Sequence, residues 1–264
     1  MLAECWGKTN ALKKRLSHLK YKMTIAYDGT NYGGWQSQLN AVSIQALIEQ
    51  ALLTILRAPT SLIGSGRTDA GVHALAQSAH FSTINQIDIA KTLASLNGIL
   101  PVDIRILTLE ETSPQFHARY SAIAKTYHYH LHLGKIPNPF KRRYAYHVPH
   151  PVDLTQLKET AAQFIGTHDF SSLANEANRG AAAKDAVRTL YRLDVIEEES
   201  GARLEFEGDG FLYKMVRNIT GTLLDICAGK MDQDQIPAIL AAKDRRCAGS
   251  AAPPHGLFLV NVKY

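Results

Sequence analysis

Residues 124 to 133, AKTYHYHLHL, alternate without a break. Successive side chains of a strand point to opposite faces, so this pattern is a strand signature that no helix reproduces. It sets Lys125, Tyr127, Tyr129, Leu131 and Leu133 on one face and Thr126, His128, His130 and His132 on the other. A long strand in mid-chain needs partners, and the flanking sequence supplies them.

The run YKMTIAY, residues 21 to 27, reads as a strand, and the turn-rich loop DGTNYGGWQSQ follows it. In SIQALIEQALLTILRAP the apolar residues Ile44, Leu47, Ile48, Ala51, Leu52, Ile55 and Leu56 recur at helical spacing. Ser43 can cap that helix and Pro59 stops its pattern. Strands near 76 to 83 and 102 to 109 bracket a helix near 88 to 97. Beyond the loop GKIPNPFKRR come a helix near 153 to 165 and a Gly/Ala/Asn-rich connection from 175 to 184. VRTLYRLDVIEE and ARLEFEGD, joined by Ser200 and Gly201, read as a hairpin. A helix over YKMVRNITGTLLDICAG, a short one around PAILAAKD and a final strand GLFLVNVKY complete the order.

This order predicts an α+β fold of two similar α/β halves, each with a mainly antiparallel sheet flanked by helices. A boundary in the proline-bearing loop gives an N-terminal half over 21–135 and a C-terminal half over 136–264. Residues 1–20 form a basic extension, expected to be flexible.

With 264 residues, 45% of them hydrophobic, the chain can bury a substantial core. The net charge of +5 favours a polyanionic partner such as nucleic acid. Its cations cluster at Lys13, Lys14, Arg15, Lys20 and Lys22, and again at Lys135, Lys141, Arg142 and Arg143. No apolar run is long enough for a membrane span and the start lacks a signal-like apolar centre, so a cytoplasmic protein is expected. Cys5, Cys227 and Cys247 share no CxxC spacing, which disfavours disulfides and a thiolate zinc site.

The stretch GSGRTDAGVHALAQSAHF, residues 64 to 81, sets an aspartate among glycines. It fits neither a Walker loop nor a dinucleotide fingerprint, so no nucleotide cofactor is expected. An aspartate in such a loop is commonly a turn residue bonded to its own backbone. Arg67 adds a second reading: two residues away along an extended backbone, its guanidinium can sit beside Asp69, keep it ionised and attract a phosphate. An ionised carboxylate beside a phosphate-binding arginine suits attack on a nucleotide's sugar or base.

The segments YDGTNYGGWQSQ, SIQALIEQAL, GSGRTDAGVHA, FHARYSAIAKTYHY, FIGTHDFSSL, GDGFLYKMVRNITGTLLDI, LAAKDR and HGLFLVNV occur in that order. Together they resemble the tRNA pseudouridine synthase A family, from about residue 21 to the end. The resemblance implies the pseudouridine synthase fold, with an active-site cleft between the two halves. It implies isomerisation of uridine to pseudouridine at positions 38, 39 and 40 of the tRNA anticodon stem-loop, by a homodimer without metal or organic cofactor. Asp69 matches the catalytic aspartate, and Arg67 the residue that helps extrude the target nucleotide. Tyr127 matches the active-site tyrosine, whose ring can stack on the flipped uracil and whose hydroxyl can take part in moving the C5 proton. Arg217 matches the basic partner of the aspartate, and Leu257 an apolar residue against the pocket. Tyr129 reads as an ordinary core aromatic. Tyr32, Trp35 and Gln36 either support the pocket loop or meet RNA. Where many members carry two arginines before the tyrosine, this chain has Lys125 and Thr126, leaving Lys125 as a candidate backbone contact. Lys141, Arg142 and Arg143 are candidates for contact with the tRNA body.

Two other readings compete. His128, His130 and His132 share a strand face at a spacing some zinc sites use, which suggests a metal-dependent hydrolase, although no carboxylate accompanies them in sequence. Alternatively the sheets and basic loops serve a non-catalytic RNA-binding protein. The presence of Asp69, Arg67, Tyr127 and Arg217 together argues against the latter, since binding alone would not need the aspartate and a carboxylate beside phosphates repels them.

Overall fold

The computed structural model describes residues 19–175 and 185–264. Cys5, Lys13, Lys14, Arg15 and most of the 175 to 184 connection lie outside the described residues. The first half contributes β1 (Leu19–Tyr27), α1 (Ile44–Leu56), β2 (Ile63–Gly64), β3 (His73–Thr83), α2 (Ile89–Ile99) and β4 (Ile104–Thr112). Then follow β5 (Ala124–His132), β6 (Tyr146–His147), α3 (Leu154–Ala162), β7 (Gly166–Asp169), β8 (Val187–Glu198) and β9 (Gly201–Gly208). Helices α4 (Met215–Cys227) and α5 (Ile236–Ala242) precede β10 (Leu257–Lys263). Leu19 and Lys20 thus belong to the first strand, where Lys20 Nζ donates to the carbonyls of Pro114 (2.6 Å) and Phe116 (2.7 Å).

The result is the α+β architecture that the element order implies, built on one open and mainly antiparallel sheet. Its order is β4-β1-β3-β10-β5-β9-β8-β7, with β2 against β3 and β6 against β5. The closing strand β10 runs between β3, to which it is parallel, and β5, to which it is antiparallel. The end of the chain therefore joins the early strands to the later ones in one sheet. It also gives β5 a partner on each edge, β10 and β9. From Tyr127 onward the faces follow the sequence: Tyr127, Tyr129 and Leu131 are buried and His128 and His130 half-buried, whereas before it Thr126 is buried and Lys125 only half-buried. His132 departs from its two neighbours. It is buried, its Nε2 lies 3.0 Å from the Ile136 carbonyl, and its ring approaches that of His147.

Helix α1 follows the sequence closely. The Ser43 hydroxyl caps it by accepting from Ala46 N, and Ile44, Ile48, Ala51 and Leu52 form the buried stripe. It ends two residues before Pro59, at Arg57, in the left-handed region with φ 53°. Helix α4 starts two residues later than the apolar pattern suggests, because Lys214 adopts φ 61° and breaks the entry. Nearly every residue of α4 is buried, so it is a central element, and it carries Arg217 in its first turn. Among the described residues no helix is long and apolar enough to cross a membrane.

Candidate active site

Asp69 sits on the connection between β2 and β3, and the glycine-rich loop after β1 cradles it. Gly34 has φ +95°, and a Cβ there would stand 2.5 Å from the Thr68 carbonyl. A Cβ on Gly29 would stand 2.0 Å from the Val72 carbonyl. Both positions need glycine because two backbones touch. The contact is then secured by hydrogen bonds. Trp35 N donates to Thr68 O (3.1 Å), Val72 N to Asp69 O (3.1 Å), and the Thr68 and Tyr27 hydroxyls are 2.8 Å apart. Ser65 Oγ bonds Gln77 Oε1 (2.7 Å), whose amide nitrogen donates to Gly66 O (3.0 Å). The backbone around Asp69 is thus fixed, leaving its side chain 18% exposed.

The partner of that carboxylate is Arg217. Its Nη1 donates to Asp69 Oδ2 at 2.7 Å, and its Nε donates to the Ala252 carbonyl, also at 2.7 Å. Ala252 N returns a bond to Arg217 O (2.9 Å), so one residue clasps both the backbone and the side chain of the arginine. The side-by-side placement of Arg67 and Asp69 expected from their spacing does not occur as an ion pair. Arg67 is exposed, and the guanidinium that holds Asp69 comes from α4.

Tyr127 is buried on β5, and the edge of its ring meets Phe211 (centroids 5.1 Å, 80°). Burial, the neighbouring Tyr27 and the Asp69 charge all push its hydroxyl far above the usual phenol range. It therefore stays a protonated, neutral group. Leu257, also buried, opens β10 opposite Tyr129, while Leu259 stands opposite Tyr127. The Tyr129 hydroxyl donates to the Pro253 carbonyl (2.7 Å), consistent with a core role.

Lys125 turns toward the Asp69 loop, its Nζ donating to the Ser65 carbonyl at 2.8 Å. Lys141, Arg142 and Arg143 stand exposed on the loop after β5, and none hydrogen-bonds to Asp69 or Arg217. That loop is anchored, since Tyr144 OH bonds Asp28 Oδ2 (2.8 Å) and His73 Nε2 lies 2.9 Å from Arg143 O. Tyr32 and Trp35 are buried supports, and the exposed Gln36 bonds Gln45.

The histidine face has carboxylates after all, supplied by distant sequence. Glu205 Oε1 is 3.6 Å from His128 Nε2 and Glu198 Oε2 is 3.9 Å from His130 Nδ1. Their oxygens are already engaged: Glu205 accepts from Arg192 and Arg203, and Glu198 from Arg203. With His132 turned away, the three imidazoles do not converge, and among the described residues no group of three His, Cys, Asp or Glu is arranged to hold a metal.

Three residues of the site escape the sequence reading. Tyr27 carries the hydroxyl beneath Thr68, Phe211 packs on Tyr127, and Ala252 holds Arg217. Phe211 lies within the recognisable segment GDGFLYKMVRN. Ala252 acts through its backbone alone, which leaves no mark in a sequence.

A sequence profile for a family described as tRNA pseudouridine synthase matches residues 23–121 and 160–264. The chain is 59% identical over 245 residues to tRNA pseudouridine synthase A 1 of Protochlamydia amoebophila, covering 92% of this chain and 96% of that protein. It is 43% identical to tRNA pseudouridine synthase A of Bacillus velezensis (93% and 99% covered). It is 41% identical to that of a Thermoanaerobacter species (92% and 98% covered).

Proposed function

The chain belongs to the tRNA pseudouridine synthase family, and from that premise we propose that the Asp69, Arg217 and Tyr127 cluster is where it isomerises uridine in the anticodon arm of tRNA. The enzyme is an isomerase converting uridine to pseudouridine. The bond from N1 to C1′ breaks, a bond from C5 to C1′ forms, C5 gives up its proton and N1 gains one. A carboxylate serves this chemistry as a nucleophile at C1′ or C6, or as a base at C2′. Each route requires it ionised and fixed.

One observation carries the assignment: the Asp69 carboxylate is backed by Arg217 at 2.7 Å and lies close enough to the neutral hydroxyl of Tyr127 for its charge to act on it. Arg217 supports the anion without consuming it, because one oxygen accepts from the guanidinium and the other remains for the substrate. Tyr127 offers a ring for the uracil and an O–H for relaying the C5 proton. To exposed Arg67, two residues from the acid, we assign the filling of the gap left by the extruded nucleotide. Leu257, opposite Tyr129 and two residues from the partner of Tyr127, is the apolar residue we assign to this side. No step of this chemistry calls on a cofactor, and the histidine face offers no competing centre.

Our reading extends to the anticodon positions 38, 39 and 40, to a homodimer and to a cytoplasmic enzyme. The exposed cations Lys141, Arg142 and Arg143 support it, since two copies would join such loops into a broader surface for a tRNA body. Mapping pseudouridine in tRNA from cells lacking the protein tests the positions. Sedimentation of the active enzyme tests the dimer, and full activity in a monomer would overturn it.

A further inference from the structure

Lys125 reaches the Asp69 loop, Arg119 and Arg188 lie within range of its charge, and none of the three forms an ion pair among the described residues. Lys125 bonds the Ser65 carbonyl and stands over Gly66, where a Cβ would lie 2.9 Å from its Nζ. In the sheet, Lys125 is level with Gly208 of β9, and Gly208 is level with Leu190 of β8. Arg188, two residues before Leu190, packs on Gly210, where a Cβ would lie 3.4 Å from its Nε. Gly210 precedes Phe211, the residue against Tyr127. Exposed Arg119 stands on the segment leading into β5.

Arg119 and Arg188 are the charged groups that act on Lys125. Its strand neighbours Gly208 and Val262 carry no charge, and the Asp69 loop presents it only a carbonyl. Burial first, then these two like charges, bring the Lys125 ammonium down to about 8. Three cations without a counterion oppose one another, and an anion placed among them would relieve the repulsion. Arg188 Nη1 donates to the Asp185 and Val187 carbonyls, so the Arg119 guanidinium, the Nε–Nη2 edge of Arg188 and the Lys125 ammonium are the donors that suit the oxygens of a phosphate.

We propose that Arg119, Lys125 and Arg188 clamp one phosphodiester of the substrate RNA, next to the nucleotide that enters the Asp69 pocket. The proposal rests on the reading above, that a uridine of RNA is the substrate. Phosphates carry no base identity, so the clamp fixes register rather than sequence. It also holds the backbone still while the base leaves C1′ by N1 and returns by C5.

The test uses the full-length protein and anticodon stem-loop RNAs in which one phosphate at a time, around the target uridine, is an uncharged methylphosphonate. The wild type should lose about tenfold in affinity at one position and little elsewhere, the scale of a charge-assisted bond. Arg119→Gln/Arg188→Gln should bind the natural RNA about tenfold more weakly and be indifferent to that same replacement. Losses from variant and replacement that multiply at every position would overturn the clamp. Lys125 gives an independent readout. A bound phosphate favours its charged form, so KM should rise as pH passes upward through about 8, with kcat nearly unchanged. Lys125→Arg, charged throughout, should abolish that rise, and identical profiles in both proteins would also overturn the proposal. Wild-type protein that forms no pseudouridine in these RNAs would sink the isomerase reading, while the methylphosphonate pattern would still judge the clamp.

Discussion

Arg217 Nη1 reaches Asp69 Oδ2 at 2.7 Å across 148 residues of sequence, and the same guanidinium spends its Nε on the Ala252 carbonyl. The loop between β2 and β3 is thereby bonded to the first turn of α4. An acid held this way is positioned by the fold and needs no substrate to order it.

Asp69→Asn keeps the shape and one acceptor oxygen but removes the negative charge. Pseudouridine formation should fall by about 10⁴-fold, the upper end for a positioned acid or base. Affinity for tRNA should hold or rise slightly, because a charge that repels phosphates is gone. Substantial turnover by the variant in a tritium-release assay on uridine-labelled tRNA would remove Asp69 from the chemistry.

Arg217→Lys preserves the charge and loses the planar fork. An ammonium cannot present one fixed N–H to Ala252 and another to Asp69. We expect kcat to fall by about tenfold to a hundredfold, with KM for tRNA changed far less, matching the loss of one charge-assisted bond that orients the acid. A variant with wild-type kcat would show that the pair is structural only.

Much of this was legible in the sequence, for reasons that differ by element. The alternation in β5 and the stripe of α1 are local patterns; the structure returns the stripe closely and the alternation from Tyr127 to Leu131, while Thr126 and His132 are buried against it and Lys125 is only half-buried. The glycines around Asp69 signal close backbone approach, which Gly34 and Gly29 show directly. What spacing could not supply were contacts between distant segments. The Asp69 partner is Arg217 rather than the adjacent Arg67, and the carboxylates beside His128 and His130 come from β9 and β8. The insertion of β10 between β3 and β5 is likewise a product of the whole fold.

His80 should make the protein acid-sensitive. Only 3% exposed, it accepts from Ala118 N at Nδ1 (3.1 Å), and burial, His117 and Lys20 lower its pKa to about 4. The unfolded chain, with His near 6.5, takes up this proton first as pH falls. The associated stability is therefore complete above about pH 6.5 and is lost progressively toward pH 4. It amounts to about 2 to 3 kcal/mol by pH 4.5. Urea unfolding of His80→Gln at pH 7 and 4.5 should show a smaller drop than the wild type by roughly that amount. Equal drops would mean that His80 is not held neutral.

Gly221 lies on α4 where the segment before β10 crosses it. A Cβ there would stand 1.6 Å from Ser250 O and 3.1 Å from Ala252 N. Alanine gains about 1 kcal/mol of helix propensity over glycine. Pushing the crossing segment away costs about 1 to 3 kcal/mol, so destabilisation should win. The displaced residues include Ala252, so Gly221→Ala should also slow catalysis through Arg217. Denaturant unfolding and kcat, measured on the same preparation, should fall together. A stabilised and fully active variant would contradict the close approach.

The loop after β5 offers the last test, one of binding without chemistry. Tyr144 and the Arg143 carbonyl fasten it to Asp28 and His73, so its three cations are presented from a fixed base. Among the described residues Lys141 Nζ bonds the neutral Ser200 hydroxyl (2.7 Å), a contact that a phosphate can readily displace, and Arg142 and Arg143 are exposed. Each cation that meets a phosphate releases counterions on binding and steepens the dependence of affinity on salt. Replacing all three with glutamine should therefore weaken tRNA binding and make the slope of log K against log salt shallower by about 2 to 3. None of the three hydrogen-bonds to Asp69 or Arg217, so kcat at saturating tRNA should stay within about twofold, as expected for groups that position rather than react. An unaltered salt slope would place the tRNA body elsewhere, and a collapse of kcat at saturation would tie the loop to the chemistry itself.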